Sequence, residues 1–260
     1  MRQDSFTKKV GMQEIFRDPT RTTKPRESGI THVIDKGMSV QDVADLCEVT
    51  AGYVDIIKFG WATSVVIENL DAKIAACQKR GIAICCGGTL FEIAYHRGKL
   101  EEYVAFLKDR GFKLMEISDG AIDLPEADKL SLIERLARDF TVLSEVGSKD
   151  KTVVVAPYRW VKQIKNELNA GAWKVVTEGR ESGTVGLYRS SGEIRTGLIE
   201  EIEVEIDSTR LIFEAPQKEQ QVWFVKHFGC NVNLGNIAPG EVISLETVRQ
   251  GLRADTMKKD

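Results

Sequence analysis

The strongest constraint on the fold is an alternation of short β-type runs with amphipathic helical stretches along nearly the whole chain. Eight strand candidates can be counted, at residues 31–36, 53–60, 83–88, 113–120, 141–147, 173–179, 210–216 and 230–236. Helical patterns occupy 39–50, 67–81, 100–111, 126–139, 161–171, 218–229 and 244–253. Strands that alternate with helices form parallel α/β sheets. Eight such units favour an α/β fold of the single (β/α)8 TIM-barrel type over an open doubly wound sheet.

The length of 260 residues fits either two small domains or one large barrel. No low-complexity run and no linker rich in Pro, Gly or Ser divides the chain. We therefore expect one barrel domain over residues 1–260, in which residues 1–28 form an N-terminal extension before the first strand.

Composition excludes several classes of function. The chain is 42% hydrophobic and 29% charged, which is typical of a soluble globular protein, and it has no apolar run of membrane-spanning length. Its net charge of −3 gives no basic field for nucleic acid. Because the start of the chain lacks a secretory signal pattern, we expect a cytoplasmic protein with neither membrane nor nucleic-acid partners.

Cysteine and histidine give little support for a metal or redox centre of their own. The five cysteines include no CxxC pair, so we interpret them as reduced core residues. The three histidines, His32, His96 and His227, form no spaced cluster, and a zinc site therefore has little support.

The ends of the predicted strands are unusually rich in charge, and in a barrel all of these ends meet at one mouth. The charged and polar residues there are Asp35, Lys36, Lys58, Glu116, Ser118, Asp119, Glu145, Lys149, Glu178, Arg180, Glu214, Asn233 and Asn236. The pair Gly87–Gly88 follows the third strand and is by itself more typical of a turn than of a phosphate cradle. Any single glutamate could equally be a helix cap or one half of an ion pair. Four converging carboxylates, however, repel one another unless a cation compensates them.

This pattern predicts an anion-handling enzyme assisted by Mg²⁺. Carboxylate oxygens without a histidine partner suit Mg²⁺, and the nearby cations suit a small anionic substrate. A lysine among these acids could be an ion pair, a general acid or base, or a Schiff-base nucleophile, and spacing does not separate these roles. Two long connections, residues 148–158 and 180–195, are candidate lids at the mouth.

Eight ordered stretches between Pro25 and Ile237 resemble the phosphosulfolactate synthase family. They are "PRESGITHVIDKG", "KFGWATS", "CGGTLFE", "EISDG", "SEVGSK", "EGRESGTVG", "FEAPQKEQQVWF" and "VNLGNI". The resemblance implies a (β/α)8 barrel lyase that requires Mg²⁺ and adds sulfite to phosphoenolpyruvate, giving (2R)-2-phospho-3-sulfolactate. It also implies assembly into a homo-oligomer. The sequence does not decide whether the product serves coenzyme M synthesis or sulfolactate accumulation.

The resemblance also assigns roles to the residues at the mouth. Lys149, in "SEVGSK", matches the lysine that delivers a proton to C2 of a metal-stabilised aci-carboxylate. The pool of Mg²⁺ ligands is Glu116, Glu145, Glu178 and Glu214, and Glu145 either touches the ion or holds Lys149. Candidates for substrate binding are Arg26, Lys36, Lys58, Arg180 and Asn233, with Gly87, Gly88, Gly235 and Asn236 as further phosphate donors.

Two alternatives stay open at this stage. One is another barrel enzyme that acts on a phosphorylated three-carbon acid or sugar, such as a Schiff-base aldolase. The other is a non-catalytic protein like the plant heat-stress-associated proteins that the wider family resembles.

Overall fold

A computed structural model describes residues 11–149 and 155–257 of the chain, and all eight predicted strands are present in it. The strands are β1 (Thr31–Asp35), β2 (Ile56–Phe59), β3 (Ala83–Cys86), β4 (Leu114–Ile117), β5 (Thr141–Val146), β6 (Lys174–Thr177), β7 (Leu211–Glu214) and β8 (Leu234–Ile237). Each begins and ends within four residues of its predicted bounds, and the fold class is confirmed as a (β/α)8 barrel.

The helices pack around these strands. They are α1 (Met12–Phe16), α2 (Val40–Thr50), α3 (Leu70–Lys79), α4 (Gly88–His96), α5 (Leu100–Asp109), α6 (Glu126–Leu136), α7 (Pro157–Asn169), α8 (Thr196–Glu205), α9 (Lys218–Phe228) and α10 (Val242–Arg249). All seven predicted helical stretches are found, and α1, α4 and α8 are additional. None of the helices in the described ranges combines the length and apolarity needed to cross a bilayer.

The eight strands form one parallel sheet in the order β3-β2-β1-β8-β7-β6-β5-β4. The two ends of this order, β3 and β4, lie beside each other, although no ladder joins them in the described part of the chain. The sheet therefore curls into a nearly closed barrel, and the carboxyl ends of all eight strands point the same way.

Alternation along the strands separates the two faces of the barrel wall. One apolar side chain from each of six strands forms a layer inside the barrel: Ile56, Cys85, Leu114, Leu143, Val176 and Ile212. Their neighbours in the chain, such as Ile57, Met115 and Phe213, belong to the larger core between the strands and the helices. Because side chains alternate with a period of two, the residue two positions after each inner apolar residue also points into the barrel, one layer nearer its carboxyl end.

The two candidate lids differ in how much of each can be described. Residues 180–195 form a packed connection, because Val185, Leu187 and Tyr188 are 4% exposed or less and Tyr188 pairs with Ile194 in a β-bridge. This segment is therefore packed against the rest of the barrel and is not only an exposed loop at the rim. Of the other connection, residues 150–154 lie outside the described residues, as do residues 1–10 of the N-terminal extension.

Candidate active site

The inner positions at the carboxyl ends of six strands carry the candidate functional residues. Two positions after the apolar layer stand Lys58, Gly87, Glu116, Glu145, Glu178 and Glu214. All six line one cavity of about 90 Å³ at the mouth of the barrel. The same cavity is also lined by Gly88, Lys149, Arg180 and Asn236. The structure thus brings together the four predicted metal ligands, the predicted catalytic lysine and five of the nine predicted substrate-binding residues.

The charge balance of this cavity is negative when all of its carboxyl groups are ionised. Its described lining contains five carboxylates, the four predicted glutamates and Glu181, against three cations, Lys58, Lys149 and Arg180. The four predicted glutamates are between 1% and 4% exposed, so little solvent screens them. A cavity of this kind favours an additional cation.

Lys58 lies between two of the glutamates on the barrel floor. Its Nζ is 3.3 Å from Glu214 Oε1 and 3.5 Å from Glu116 Oε2. Burial opposes the charge on the lysine, but Glu116, Glu214 and Glu145 outweigh it and raise the pKa of Lys58 well above its ordinary value. Burial is also the main cause that raises the pKa of Glu116 to about 7, with Lys58 opposing and Glu145 adding to the rise.

Lys149 and Glu145 form a second charged pair at the side of the mouth. Lys149 Nζ lies 2.9 Å from Glu145 Oε1 and donates to Ser118 Oγ at 2.8 Å. Burial works against both charges, yet Lys149, followed by Lys58, lowers the pKa of Glu145 well below its ordinary range. Glu145, Glu178 and Glu92 in turn raise the pKa of Lys149. The pair is therefore ionised at neutral pH, and Lys149 carries its proton.

Glu178 is the least compensated of the four glutamates. Its Oε1 accepts a hydrogen bond of 2.6 Å from the backbone N–H of Arg180, whereas its buried Oε2 has no hydrogen-bond partner among the described residues. Burial, and then the charges of Glu145 and Glu214, raise the pKa of Glu178 well above its ordinary value. An unpartnered buried oxygen beside other carboxylates is a position where a bound cation would relieve repulsion.

The donor set fits Mg²⁺, because the four glutamates offer the carboxylate oxygens that this ion prefers. In the described ranges, the one group of three potential ligands whose atoms lie within 4.8 Å of one another is His32, Cys85 and Glu116. No three of the four glutamates meet that spacing there, so one or two of them at a time can reach a common ion. Mg²⁺ ordinarily takes one or two carboxylates and fills its remaining positions with water and substrate oxygens.

The group of His32, Cys85 and Glu116 contains one of the three histidines, and the other two, His96 and His227, are not part of it. His32 and Cys85 lie in the barrel interior, with 3.9 Å between Nε2 and Sγ. Burial lowers the pKa of His32 and raises the pKa of Cys85, so both side chains are neutral. Cys47, Cys77, Cys85 and Cys86 are buried and free, as expected of reduced core residues, and Cys230 is half-buried.

Two predicted substrate-binding residues lie at the opposite end of the barrel. Arg26 Nε donates to Asp55 Oδ1 at 2.9 Å, and Asp55 precedes β2. The Asn233 side chain accepts from Ile30 N at 3.0 Å and donates to the carbonyl of Leu211, again at the starts of strands. Both residues tie the N-terminal ends of the strands together, which corrects their predicted place at the mouth.

The glycines act through close packing. The N–H of Gly87 donates to the Phe59 carbonyl at 3.0 Å, and that of Gly88 donates to Glu116 Oε1 at 2.6 Å. A Cβ atom on Gly88 would collide with Cβ of Ser118, so this glycine lets α4 approach β4. The predicted phosphate donors Gly87 N and Gly88 N are therefore already engaged.

The last strand supplies a glycine and an asparagine at different depths. Gly235 faces the barrel interior, where an added Cβ would lie 3.3 Å from His32 Nδ1. Asn236 lines the cavity with φ +53°, and its buried Oδ1 has no partner among the described residues. Asn236 is thus the better placed of the two to meet a ligand.

Lys36 and Arg180 lie at the rim. Lys36 is exposed, with Nζ 5.1 Å from the ring centroid of the cavity-lining Trp61. Arg180 is partly exposed and donates to the Lys149 carbonyl at 3.3 Å. Asp35 is engaged elsewhere, because it pairs with Lys73 at 2.5 Å behind β1.

Sequence reasoning missed one buried acid near the mouth. Glu92 lies on α4 and is 1% exposed, and its Oε1 is 3.1 Å from Lys149 Nζ. No strand-end rule selects it, although Glu92 is the last residue of "CGGTLFE", one of the stretches that carry the family resemblance.

Comparison with known proteins gives a consistent family. The model of the (2R)-phospho-3-sulfolactate synthase (ComA) family matches residues 19–255. The phosphosulfolactate synthase of Methanothermobacter thermautotrophicus is 42% identical, covering 94% of this chain and 97% of the relative. That of Methanocaldococcus jannaschii is 44% identical, covering 90% and 95%. The protein HEAT-STRESS-ASSOCIATED 32 of Arabidopsis thaliana is 21% identical, covering 88% of each chain.

Solved structures share the barrel at much lower identity. A 3-hexulose-6-phosphate synthase from Salmonella typhimurium superposes with a TM-score of 0.55 at 15% identity, covering 84% of this chain and 96% of that one. At this identity the likeness concerns the fold alone.

Proposed function

The chain belongs to the (2R)-phospho-3-sulfolactate synthase family, and from that premise we propose that it is a carbon–sulfur lyase that joins sulfite to phosphoenolpyruvate. The observation that carries this proposal is the cavity in which a protonated lysine faces a set of buried carboxylates. Such a site suits a small anion that must accept a proton next to a bound cation.

In the proposed reaction the sulfur lone pair of sulfite forms a bond to C3 of phosphoenolpyruvate. The electron pair of the C2–C3 double bond moves into the carboxylate, giving an aci-carboxylate. C2 then takes a proton from the Lys149 ammonium, and the neutral amine regains a proton from water. One sulfite, one phosphoenolpyruvate and one proton thus become (2R)-2-phospho-3-sulfolactate.

Lys149 is better suited than Lys58 to deliver this proton. The Lys149 side chain is 19% exposed, whereas that of Lys58 is 6% exposed and lies between Glu116 and Glu214. The raised pKa of Lys149 ensures that it is protonated before reaction. The C2 atom of an aci-carboxylate is far more basic than an amine, so the transfer is downhill.

The proposed cofactor is Mg²⁺, held by one or two of Glu116, Glu145, Glu178 and Glu214. Glu178 is the strongest candidate, because its Oε2 is buried without a partner among the described residues. When bound, Mg²⁺ would supply Lewis-acid stabilisation for the charge that develops on the substrate carboxylate. The remaining glutamates orient Lys58 and Lys149, as their contacts indicate.

Anion binding falls to the residues of the mouth that retain free or exposed groups. Lys36 and Arg180 at the rim are the groups we assign to the phosphate and the sulfite. The unpartnered amide oxygen of Asn236 is an acceptor, and we assign it to a water that accompanies them. Exposed cations at a rim also accelerate the arrival of anions.

The alternative readings have less support. A Schiff-base lysine needs a neutral amine and hence a lowered pKa, whereas the pKa values of Lys58 and Lys149 are both raised. The heat-stress-associated relative is 21% identical to this chain, whereas the two synthases are 42% and 44% identical.

Phosphorus NMR of product formation tests the proposed reaction. We expect a new phosphate ester from phosphoenolpyruvate only when sulfite and Mg²⁺ are both present, with loss of turnover in EDTA. Lys149→Ala should lower kcat by about 10²- to 10⁴-fold, the usual worth of a general acid. The matched control is Lys165→Ala, which removes a half-exposed lysine paired with Glu205 on the outer surface and should retain turnover. Turnover that does not need sulfite would overturn the proposal.

A homo-oligomer is the expected assembly. Near the N-terminal ends of the strands, a groove of about 810 Å³ is lined by the exposed apolar side chains of Met12, Phe16, Val49 and Leu252. A second copy would cover this surface. Light scattering should give a multiple of the 29.0 kDa chain mass, and Val49→Ser should shift it downwards, whereas Val204→Ser on α8, 80% exposed outside the groove, should not.

A further inference from the structure

Glu92 occupies a protected position behind the mouth. It lies one turn into α4, which begins at Gly88 directly after β3. Its side chain is 1% exposed, and it is not among the described residues that line the cavity. A ligand in the mouth therefore does not touch Glu92 directly.

The carboxylate of Glu92 is nevertheless bonded to the proposed proton donor. Its Oε1 accepts from Lys149 Nζ at 3.1 Å, from Ser118 Oγ at 2.8 Å and from the backbone N–H of Ala121 at 3.1 Å. The backbone bond fixes the carboxylate to the loop after β4. The other two bonds give Lys149 a partner on the side facing away from the cavity.

Ser118 connects this carboxylate to Glu145. Its hydroxyl accepts from Lys149 Nζ, and its single hydrogen lies within reach of both Glu92 Oε1, at 2.8 Å, and Glu145 Oε1, at 2.7 Å. A hydroxyl donates to one acceptor at a time. If Glu145 moves towards the cavity, the hydroxyl is therefore free to donate to Glu92, and Lys149 keeps two of its three partners among residues 11–149 and 155–257.

We propose that Glu92 is a positioning residue. Together with Ser118 it holds the Lys149 ammonium towards the substrate, while Glu145 interacts with the ligands bound in the cavity. The inference rests on the proposed function, because Lys149 is the proton donor of that reaction. Glu145 lines the cavity and can therefore contact a bound ligand as well as Lys149. Glu92 contacts Lys149 and does not line the cavity. Removing the charge of Glu92 should misplace the donor without removing a substrate contact.

The test is Glu92→Gln, which keeps the shape of the side chain. We expect kcat to fall by about 10²-fold, the scale for a small misplacement of a reacting group, with a much smaller change in KM. We also expect the solvent isotope effect of D₂O on kcat to rise, because proton delivery becomes slower than the other steps. A purely structural role would change the amount of folded enzyme and leave the isotope effect per folded protein unchanged.

The matched control is Glu246→Gln on α10. Glu246 is also buried and pairs with Arg21 at 3.0 Å, and Arg21 donates to the carbonyl of Gly29 before β1, at the end of the barrel opposite the mouth. It should lose stability without a change in kcat or isotope effect per folded protein. If Glu92→Gln fails to fold, Ser118→Ala decides the matter, since it should raise the isotope effect in the same direction.

The outcomes separate the two proposals. A wild-type protein without sulfite-dependent turnover would refute the proposed function itself. Wild-type turnover together with an unchanged kcat and isotope effect in Glu92→Gln, or in Ser118→Ala if the first variant does not fold, would overturn the role of Glu92 alone.

Discussion

Replacing Glu116 by Gln should change how the stability of the metal-free protein depends on pH. Burial is the main cause that raises the pKa of Glu116 from 4.5 to about 7. In the unfolded chain the Glu116 carboxyl group loses its proton at a lower pH than in the folded protein, so binding of this proton stabilises the folded state. This stabilisation is fully present below about pH 4.5 and is lost as pH rises through about 7. A rise of this size in the pKa corresponds to a change of about 3 kcal/mol in the free energy of unfolding. Gln has the same shape and no charge, so Glu116→Gln should gain about 3 kcal/mol relative to the wild type over that interval.

Urea unfolding in EDTA at about pH 5 and about pH 8 measures this difference. The control is Glu101→Gln, which removes a glutamate that is 71% exposed and paired with Arg135, and whose effect should be within about 0.5 kcal/mol at both pH values. Mg²⁺ should restore stability to the wild type at the higher pH by binding the ionised carboxylates. Parallel pH dependences for Glu116→Gln and the wild type would refute the reasoning, because the buried carboxyl would then be no harder to ionise than in the unfolded chain.

Three further substitutions separate the mouth from the rest of the barrel. Gly88→Ala should lower kcat by at least about 10-fold, because its Cβ would displace Ser118, whereas Gly197→Ala, with open space around it on α8, should leave kcat unchanged in the same assay. Arg26→Ala should lower the free energy of unfolding by about 3 kcal/mol in urea titrations, because it breaks the buried ion pair with Asp55 at the N-terminal ends of the strands. An increased KM in the folded variant would contradict the placement of Arg26 away from the mouth. Lys36→Gln should lower kcat/KM and weaken its dependence on ionic strength, which steady-state kinetics at several salt concentrations would detect; an unchanged salt dependence would exclude steering by this lysine.

The barrel and most of its mouth could be predicted from sequence because two periodicities coincide. Every inner apolar residue of six strands is followed two positions later by a residue of the mouth, as in Ile56 and Lys58 or Leu143 and Glu145. This spacing is written in the sequence and needs no knowledge of tertiary contacts.

The error for Asn233 came from a strand boundary. The predicted eighth strand began at residue 230, but β8 begins at Leu234, so Asn233 lies before the strand and at the opposite end of the barrel. Arg26 precedes β1 in the predicted bounds as well as in the structure and lies at that same end, and only the family resemblance made it a candidate for substrate binding. A residue's type marks it as a candidate for a site, whereas its place before or after a strand decides which end it occupies.

Glu92 could not be found by strand-end reasoning because it lies on a helix. Whether a helical acid faces solvent or a strand end depends on how the helix docks, and Gly88 permits α4 to approach β4 closely enough for Glu92 to meet Ser118. That contact is tertiary and has no local signature.

A crystal structure of the protein with Mg²⁺ and phosphoenolpyruvate bound tests the central claim most directly. The account predicts the substrate in the cavity lined by Glu116, Glu145, Glu178 and Glu214, with Lys149 Nζ facing C2. Phosphoenolpyruvate bound outside this mouth, or bound there with Lys149 directed away from C2, would contradict it.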